Sequence, residues 1–434
     1  MKKLLLIFLF FNFNIVAQTY TNYFTGDTTD VSPATLGGVC LMGGALENEN
    51  GMAWFLERAN GGDVLVLRAT GSDGYNDYMY NDFGIAINSV ETIVVNSIAA
   101  ANEPYVAQQI AAAEALWIAG GDQYDYVSMW RNTPVETAIN ELINEKNAVV
   151  GGTSAGMAIL GSSYFSAANG TVTSWEALSN PYSLKVTLGH NDFIEQPFLQ
   201  NVICDTHYDN PERIGRHIVF MARMKKDEGI AAKGIACDEY TAVCIDTDGK
   251  AYVFGEYPTF DDNAYFIQAN CIEPSEPELC WGNNFLTWDR GGQALKAYVI
   301  KGEPSGTQFF DLNTWEYGEG GEWQDWSVVT ATLNFSLETA AADCYEGNPT
   351  YTSENLQDSN IEIYPNPAKN EIYIDGEYIA KNICVEIYNL TGKMVLETKN
   401  LDAKIDVSHL QKGIYIVKMI GEKTFFTEKI VLQK

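Results

Sequence analysis

At residues 151–156 the chain reads Gly-Gly-Thr-Ser-Ala-Gly, directly after the apolar run Ala148-Val149-Val150. The spacing Gly152-x-Ser154-x-Gly156 is that of a serine set on a sharp strand-to-helix turn, its hydroxyl pushed out of the sheet edge. The glycines leave room for a crowded backbone and for an approaching substrate. The helix start beside Ser154 favours the negative charge of a tetrahedral intermediate. The same residues also suit a glycine-rich turn that only caps a helix. A nucleophilic serine needs a base within hydrogen-bond reach and a third group to orient that base. His190, His207 and His217 are the histidines ahead of the C-terminal segment. His207 follows the apolar stretch Phe198–Ile203, which puts it near a strand end. His190 lies in a Gly-His-Asn-Asp turn, and His217 opens an apolar helix face. Spacing alone leaves all three open as the base. Among the acids, Glu239 stands between two apolar runs, where a carboxylate needs a partner.

Elements able to position these groups alternate from about residue 37 to 160. Strands are expected at Val39–Met42, Val64–Leu67, Thr92–Val95, Leu116–Ala119 and Ala148–Val150. Helices are expected at Met52–Ala59, Val106–Ala115 and Pro134–Glu145. Strands and helices taking turns predict an α/β fold with a mostly parallel sheet and helices on both faces. Ligands in such folds bind beyond the carboxyl ends of the strands, where the double glycines Gly43-Gly44, Gly120-Gly121 and Gly151-Gly152 fall. Further strands are expected at Ile235–Cys237, Val243–Ile245, Lys250–Phe254 and Ala297–Ile300. Residues 301–360 read as a linker or accessory strands.

The chain has 434 residues, of which 46% are hydrophobic, enough for two or three domains with substantial cores. Lys2 and Lys3, the apolar run Leu4–Phe13 and Ala17 have the pattern of a signal peptide over residues 1–17. Acidic and basic residues balance within 361–434, so the rest of the chain carries the whole net charge of −30. Such a field repels nucleic acid and anionic surfaces. Export permits disulfides, and Cys271 and Cys280 bracket a loop that a bridge could close. Cys237 and Cys244, in apolar runs, read as buried thiols. With no Cys-x-x-Cys and four histidines, neither a metal nor another cofactor is expected.

From residue 361 the character changes to short alternating runs separated by turn residues, which predicts a small antiparallel β-sandwich. Tyr364-Pro-Asn-Pro367, Ile387-Tyr-Asn-Leu-Thr-Gly-Lys393 and Leu410-Gln-Lys-Gly-Ile-Tyr415 resemble the C-terminal sorting domain of type IX secretion in Bacteroidota. That resemblance implies recognition by an outer-membrane translocon and a secreted or cell-surface location.

From about 37 to 300 the chain resembles the cyanophycinase and dipeptidase E group of serine peptidases, family S51, which implies a peptidase domain at 24–300. The phrases that carry the resemblance, in the family's order, are Leu41-Met-Gly-Gly44, Ile118-Ala-Gly-Gly-Asp-Gln123, Gly152-Thr-Ser-Ala-Gly156, Asp205-Thr-His-Tyr208 and Gly234-Ile-Ala-Cys-Asp-Glu-Tyr-Thr-Ala242. The resemblance implies a three-layer sandwich related to class I glutamine amidotransferases. It also implies a triad of Ser154, His207 and Glu239. An oxyanion hole would come from the N–H of Ala155 with that of Gly121 or Asp122, and Gln123 and Asp205 look like the family's pocket residues. The family presents three arginines four, six and nine residues after the histidine; here Pro211 takes the first place, and Arg213 and Arg216 match the others. Two guanidiniums can still grip a carboxylate. The implied substrates are acidic or β-aspartyl peptides, with a homodimer as the family's assembly. A non-catalytic binding protein on the same scaffold and a small-molecule amidase are the alternatives.

Overall fold

The computed structural model describes residues 18–271, 274–338, 362–375, 384–389, 393–399, 404–421 and 424–433. The expected signal peptide and residues 339–361 lie outside the described residues. The chain divides into two compact units, Met1–Cys344 and Tyr345–Lys434.

The apolar runs of the first unit form two sheets. The larger has ten strands, in the order Thr21–Gly26, Ser89–Val94, Asp63–Arg68, Ala115–Ile118, Val149–Thr153, Val39–Met42, Ala242–Ile245, Lys250–Phe254, Phe309–Asp311 and Gly318–Glu319. The five from Ser89–Val94 to Val39–Met42 are parallel, and the flanking pairs are antiparallel. The second sheet has eight strands, in the order Thr332–Glu338, Gly321–Val329, Leu295–Lys301, Asn263–Ala269, Lys233–Cys237, Val202–Asp205, Ser163–Phe165 and Leu188–His190. Only Val202–Asp205 pairs in parallel, with a strand on each side.

Period-two alternation sorts the side chains between layers. Val64, Val66, Trp117 and Val149 face the helices Glu49–Arg58 and Gly74–Asn81. Leu65, Leu67, Leu116 and Val150 face the helices Pro104–Ala112 and Pro134–Asn144 and the inner face of the second sheet, including Val202 and Ile235. The outer face of that sheet, including Ile203, Ala236 and Ile267, packs on the helix Ile214–Glu228.

One mostly parallel sheet was expected, and two mixed sheets are found. The reason is connectivity. Parallel neighbours need a crossover, usually a helix; beyond about residue 160 the helix Ile214–Glu228 supplies one, between the parallel strands Val202–Asp205 and Lys233–Cys237, and regular alternation otherwise lapses. From Lys233–Cys237 onward strands follow one another closely and their new pairings are antiparallel, as between Asn263–Ala269 and Leu295–Lys301. Strands between Phe309 and Glu338 complete both sheets, so this stretch packs within the first unit and is not a linker. Cys271 is disulfide-bonded. Cys280 is a free, buried thiol, so the bridge anticipated between them does not form; its side chain is taken up by the core under the second sheet. Cys237 and Cys244 are buried and free.

In the second unit, a three-stranded sheet and a four-stranded sheet are both antiparallel. Ile363, Ile372 and Ile405 of one share a core with Val385, Ile387 and Val417 of the other, the two-sheet arrangement that the alternating runs require.

Candidate active site

The turn after strand Val149–Thr153 is tight enough to force an unusual backbone. Ser154 sits at φ 51° and ψ −115°, a region that non-glycine residues rarely occupy and that stores strain. A Cβ on Gly156 would lie 2.0 Å from the Ile118 carbonyl oxygen, and one on Gly152 would lie 2.7 Å from the Gly156 carbonyl carbon. The turn therefore closes only with glycine at both places. The Ser154 N–H donates to the Met42 carbonyl at 3.0 Å, tying the elbow to the next strand.

That strand, Val39–Met42, runs into Gly43-Gly44, which receives two further loops. The Gly43 carbonyl accepts from the His207 N–H at 2.8 Å, and the Gly44 carbonyl accepts from the Tyr240 N–H at 3.1 Å. A Cβ on Gly44, which has φ +113°, would lie 2.3 Å from His207 Nε2. The bare glycine is the seat of the imidazole.

Ser154 Oγ lies 2.8 Å from His207 Nε2, and His207 Nδ1 lies 2.6 Å from Glu239 Oε1. The histidine and glutamate side chains are 22% and 18% exposed, within reach of a ligand yet screened from bulk water. Two neighbours not anticipated from sequence hold the glutamate. Asp209 Oδ1 accepts its N–H at 2.9 Å, and Asn210 Nδ2 donates to its Oε2 at 3.3 Å. The other two histidines are spent elsewhere. His190 Nδ1 is 2.6 Å from Ser163 Oγ. His217 is fully buried between the Tyr208 hydroxyl and the Ile203 carbonyl, and burial lowers its pKa.

Residues 68–252, which contain all three of these groups, match the family model described as peptidase family S51, and residues 362–433 match the secretion system C-terminal sorting domain. The chain carries a peptidase family S51 domain. Two curated relatives are cyanophycinases, from Synechococcus elongatus and from Thermosynechococcus vestitus (strain NIES-2133 / IAM M-273 / BP-1). Each is 25% identical over 236 residues, covering 52% of this chain and 68% of the relative. A solved structure of a peptidase from an acI-B1 Actinobacterium matches with a TM-score of 0.39 and 15% identity, covering 54% of this chain and 91% of that one. The type IX sorting domain makes the S51 protein a secreted or cell-surface one.

The remaining residues singled out in the S51 domain lie around the same strand ends. Gly121 and Asp122 follow strand Ala115–Ile118, whose Ile118 pairs with Gly152 of the elbow strand. The Asp122 carboxylate caps the helix Gln123–Trp130 by accepting from the Tyr124 N–H at 2.9 Å. Gln123 Nε2 donates to the Phe165 carbonyl at 3.3 Å. Asp205 and Arg216 are not open to a ligand as expected. Both are 3% exposed and face each other, with Arg216 Nε donating to Asp205 Oδ2 at 2.8 Å and Nη2 donating to Oδ1 at 2.5 Å. Arg216 Nη1 is also held, by Thr171 Oγ1 and the Val172 carbonyl. Burial pushes the Asp205 pKa up, but Arg216 outweighs it and the net shift is downward. Arg213 is half-buried and gives Nη1 to the Thr206 carbonyl at 2.9 Å, leaving donors of its five for a ligand. The next residue, Ile214, lines a separate cavity of about 550 Å³ with Asn263, Tyr265 and Gln324 among others, and Ser154, His207 and Glu239 are not in its wall. Among the described residues, no cluster of His, Cys, Asp and Glu has the arrangement of a metal site.

Proposed function

We propose that this exported chain is a serine peptidase of the cyanophycinase-like kind, with Ser154, His207 and Glu239 as its triad. The unbroken hydrogen-bonded line from Ser154 Oγ to Glu239 Oε1, with steps of 2.8 Å and 2.6 Å, carries the reading. His207 Nε2 takes the hydroxyl proton as Ser154 Oγ attacks a peptide carbonyl. Glu239 fixes the tautomer and stabilises the imidazolium. The N–H of Ala155, with that of Gly121 or Asp122, holds the oxyanion. His207 then gives the proton to the leaving amine, and water admitted to the acyl-enzyme regenerates Ser154. The parallel centre of the larger sheet fits a relationship to class I glutamine amidotransferases.

Arg213 and Gln123 are the proposed ligand contacts, and the buried Asp205 carboxylate acts on Arg213 through its charge. One accessible guanidinium beside the triad favours a substrate with a carboxylate near the scissile bond, as in aspartyl or β-aspartyl peptides. The proposed division is a signal peptide at 1–17, a peptidase domain from about residue 24 and a sorting domain at 361–434, with a homodimer as the working assembly. Purified protein should release products, read by mass spectrometry, from a panel of α- and β-linked aspartyl peptides. Ser154→Ala should lower the rate about 10³-fold or more while the circular dichroism is unchanged. Turnover of simple amides with every aspartyl peptide refused would replace this substrate class.

A further inference from the structure

Immediately before Glu239 stands a carboxyl group that the proposed reaction does not use. Asp238 is only 3% exposed. Its Oδ2 accepts from the Asn263 N–H at 3.0 Å, from Asn263 Nδ2 at 2.9 Å and from the Tyr265 hydroxyl at 3.5 Å. Among the described residues its buried Oδ1 has no hydrogen-bond partner. The backbone is pinned as well. The Asp238 N–H donates to the Asn263 carbonyl at 3.0 Å, and the Asp238 carbonyl oxygen lies 2.0 Å from where a Cβ on Gly43 would sit. Asp238 thus fastens the Glu239 loop to strand Asn263–Ala269, and its carbonyl packs closely against Gly43, the residue before the seat of the imidazole.

The titratable groups facing it are Asp209 from the loop after His207, Tyr265 from the neighbouring strand, Tyr208, the buried Cys237 thiol before it, whose pKa burial raises, and the adjoining Glu239. Among the described residues no cation pairs with it. A carboxylate so placed is uncompensated, whereas a protonated carboxyl is a neutral group with satisfied acceptors on one oxygen. Burial raises its pKa to about 7, against the Asn263 hydrogen bonds and with the help of Asp209.

We propose that Asp238 is a positioning residue that works as a neutral carboxylic acid: it locks the Glu239 loop so that Glu239 Oε1 stays on His207 Nδ1, and its ionisation loosens that lock. The proposal rests on the triad assigned above. It is tested by the rate at which a fluorophosphonate labels Ser154, followed by intact mass, which needs no known substrate. In Asp238→Asn the amide oxygen can accept the Asn263 bonds and the amide nitrogen replaces the protonated Oδ1. At about pH 6 this variant should label within about threefold of the native protein, and Asp238→Ala, with its fold checked by circular dichroism, about tenfold slower or worse. The ratio of the Asp238→Asn rate to the native rate should rise about tenfold between about pH 6 and pH 8, because only the native side chain ionises there. Taking the ratio cancels every other titration common to both proteins. A flat ratio, or an Asp238→Asn protein as slow as Asp238→Ala at about pH 6, overturns the proposal. If Asp238→Ala does not fold, the ratio alone decides. Labelling that persists in Ser154→Ala fails the triad instead, and is told apart by that control.

Discussion

Ser154 is held at φ 51°, and His207 likewise has a positive φ, 48°. Two strained residues in contact mean that their surroundings over-determine them. Gly44 is the most exacting part of those surroundings. We predict that Gly44→Ala, whose Cβ would meet His207 Nε2 at 2.3 Å, displaces the ring and lowers kcat/KM about 10²-fold, since small misplacements of reacting groups cost about that much. A kinetic assay beside a urea melt checks it; an unimpaired rate would refute the steric account. Asp238 adds a stability signature. Its pKa is raised in the folded chain from 3.8 to about 7, so the native state holds the proton more tightly than the unfolded one. Its stabilising contribution is complete below about pH 3.8 and is lost as the pH rises through about 7. The urea midpoint of the native protein should fall relative to Asp238→Asn across that window. At this scale the sequence disclosed Ser154 through its flanking glycines. It did not distinguish His207 from His190 and His217 without family resemblance, because which histidine meets the serine depends on loops brought together across strands. Asp209 and Asn210 carried no local signal at all.

The elements explain that division of knowledge. Helix–strand alternation up to about residue 160 was legible because each element has its own period and its own punctuation, as with Pro134 opening the helix Pro134–Asn144. The second sheet was not, because a strand's alternation says which residues share a face but not which strand lies beside it. Its strand Val202–Asp205 and the helix Ile214–Glu228 are joined by the buried Asp205–Arg216 pair. We predict that Arg216→Met destabilises the protein by about 3–5 kcal/mol, since it leaves Asp205 buried and unpaired. Arg216→Lys should recover only part of this, lacking the two-pronged geometry. Urea unfolding at neutral pH measures both. The Asp205 pKa is lowered in the folded chain, so the pair's contribution is complete above the ordinary carboxylate range and is lost as the pH falls below that range and through the lowered pKa. The difference between native and variant should shrink in acid.

The whole chain joins an acidic peptidase unit to a sorting unit whose segment 361–434 is balanced in charge. The second unit has its own two-sheet core, including Ile372, Val385 and Val417, and the first contains every residue of the proposed triad. A chain ending after residue 361 should therefore hydrolyse peptides within about twofold of the full-length rate while failing to reach the cell surface, as independent domains are expected to behave. Kinetics and cell fractionation read the two outcomes separately. The central claim is that Ser154 is the nucleophile, and the most direct measurement is peptide mapping after a fluorophosphonate has stopped peptide hydrolysis. The account predicts one adduct, on Ser154, formed far more slowly in His207→Ala. An adduct on another residue, with Ser154→Ala still cleaving peptides, would contradict it.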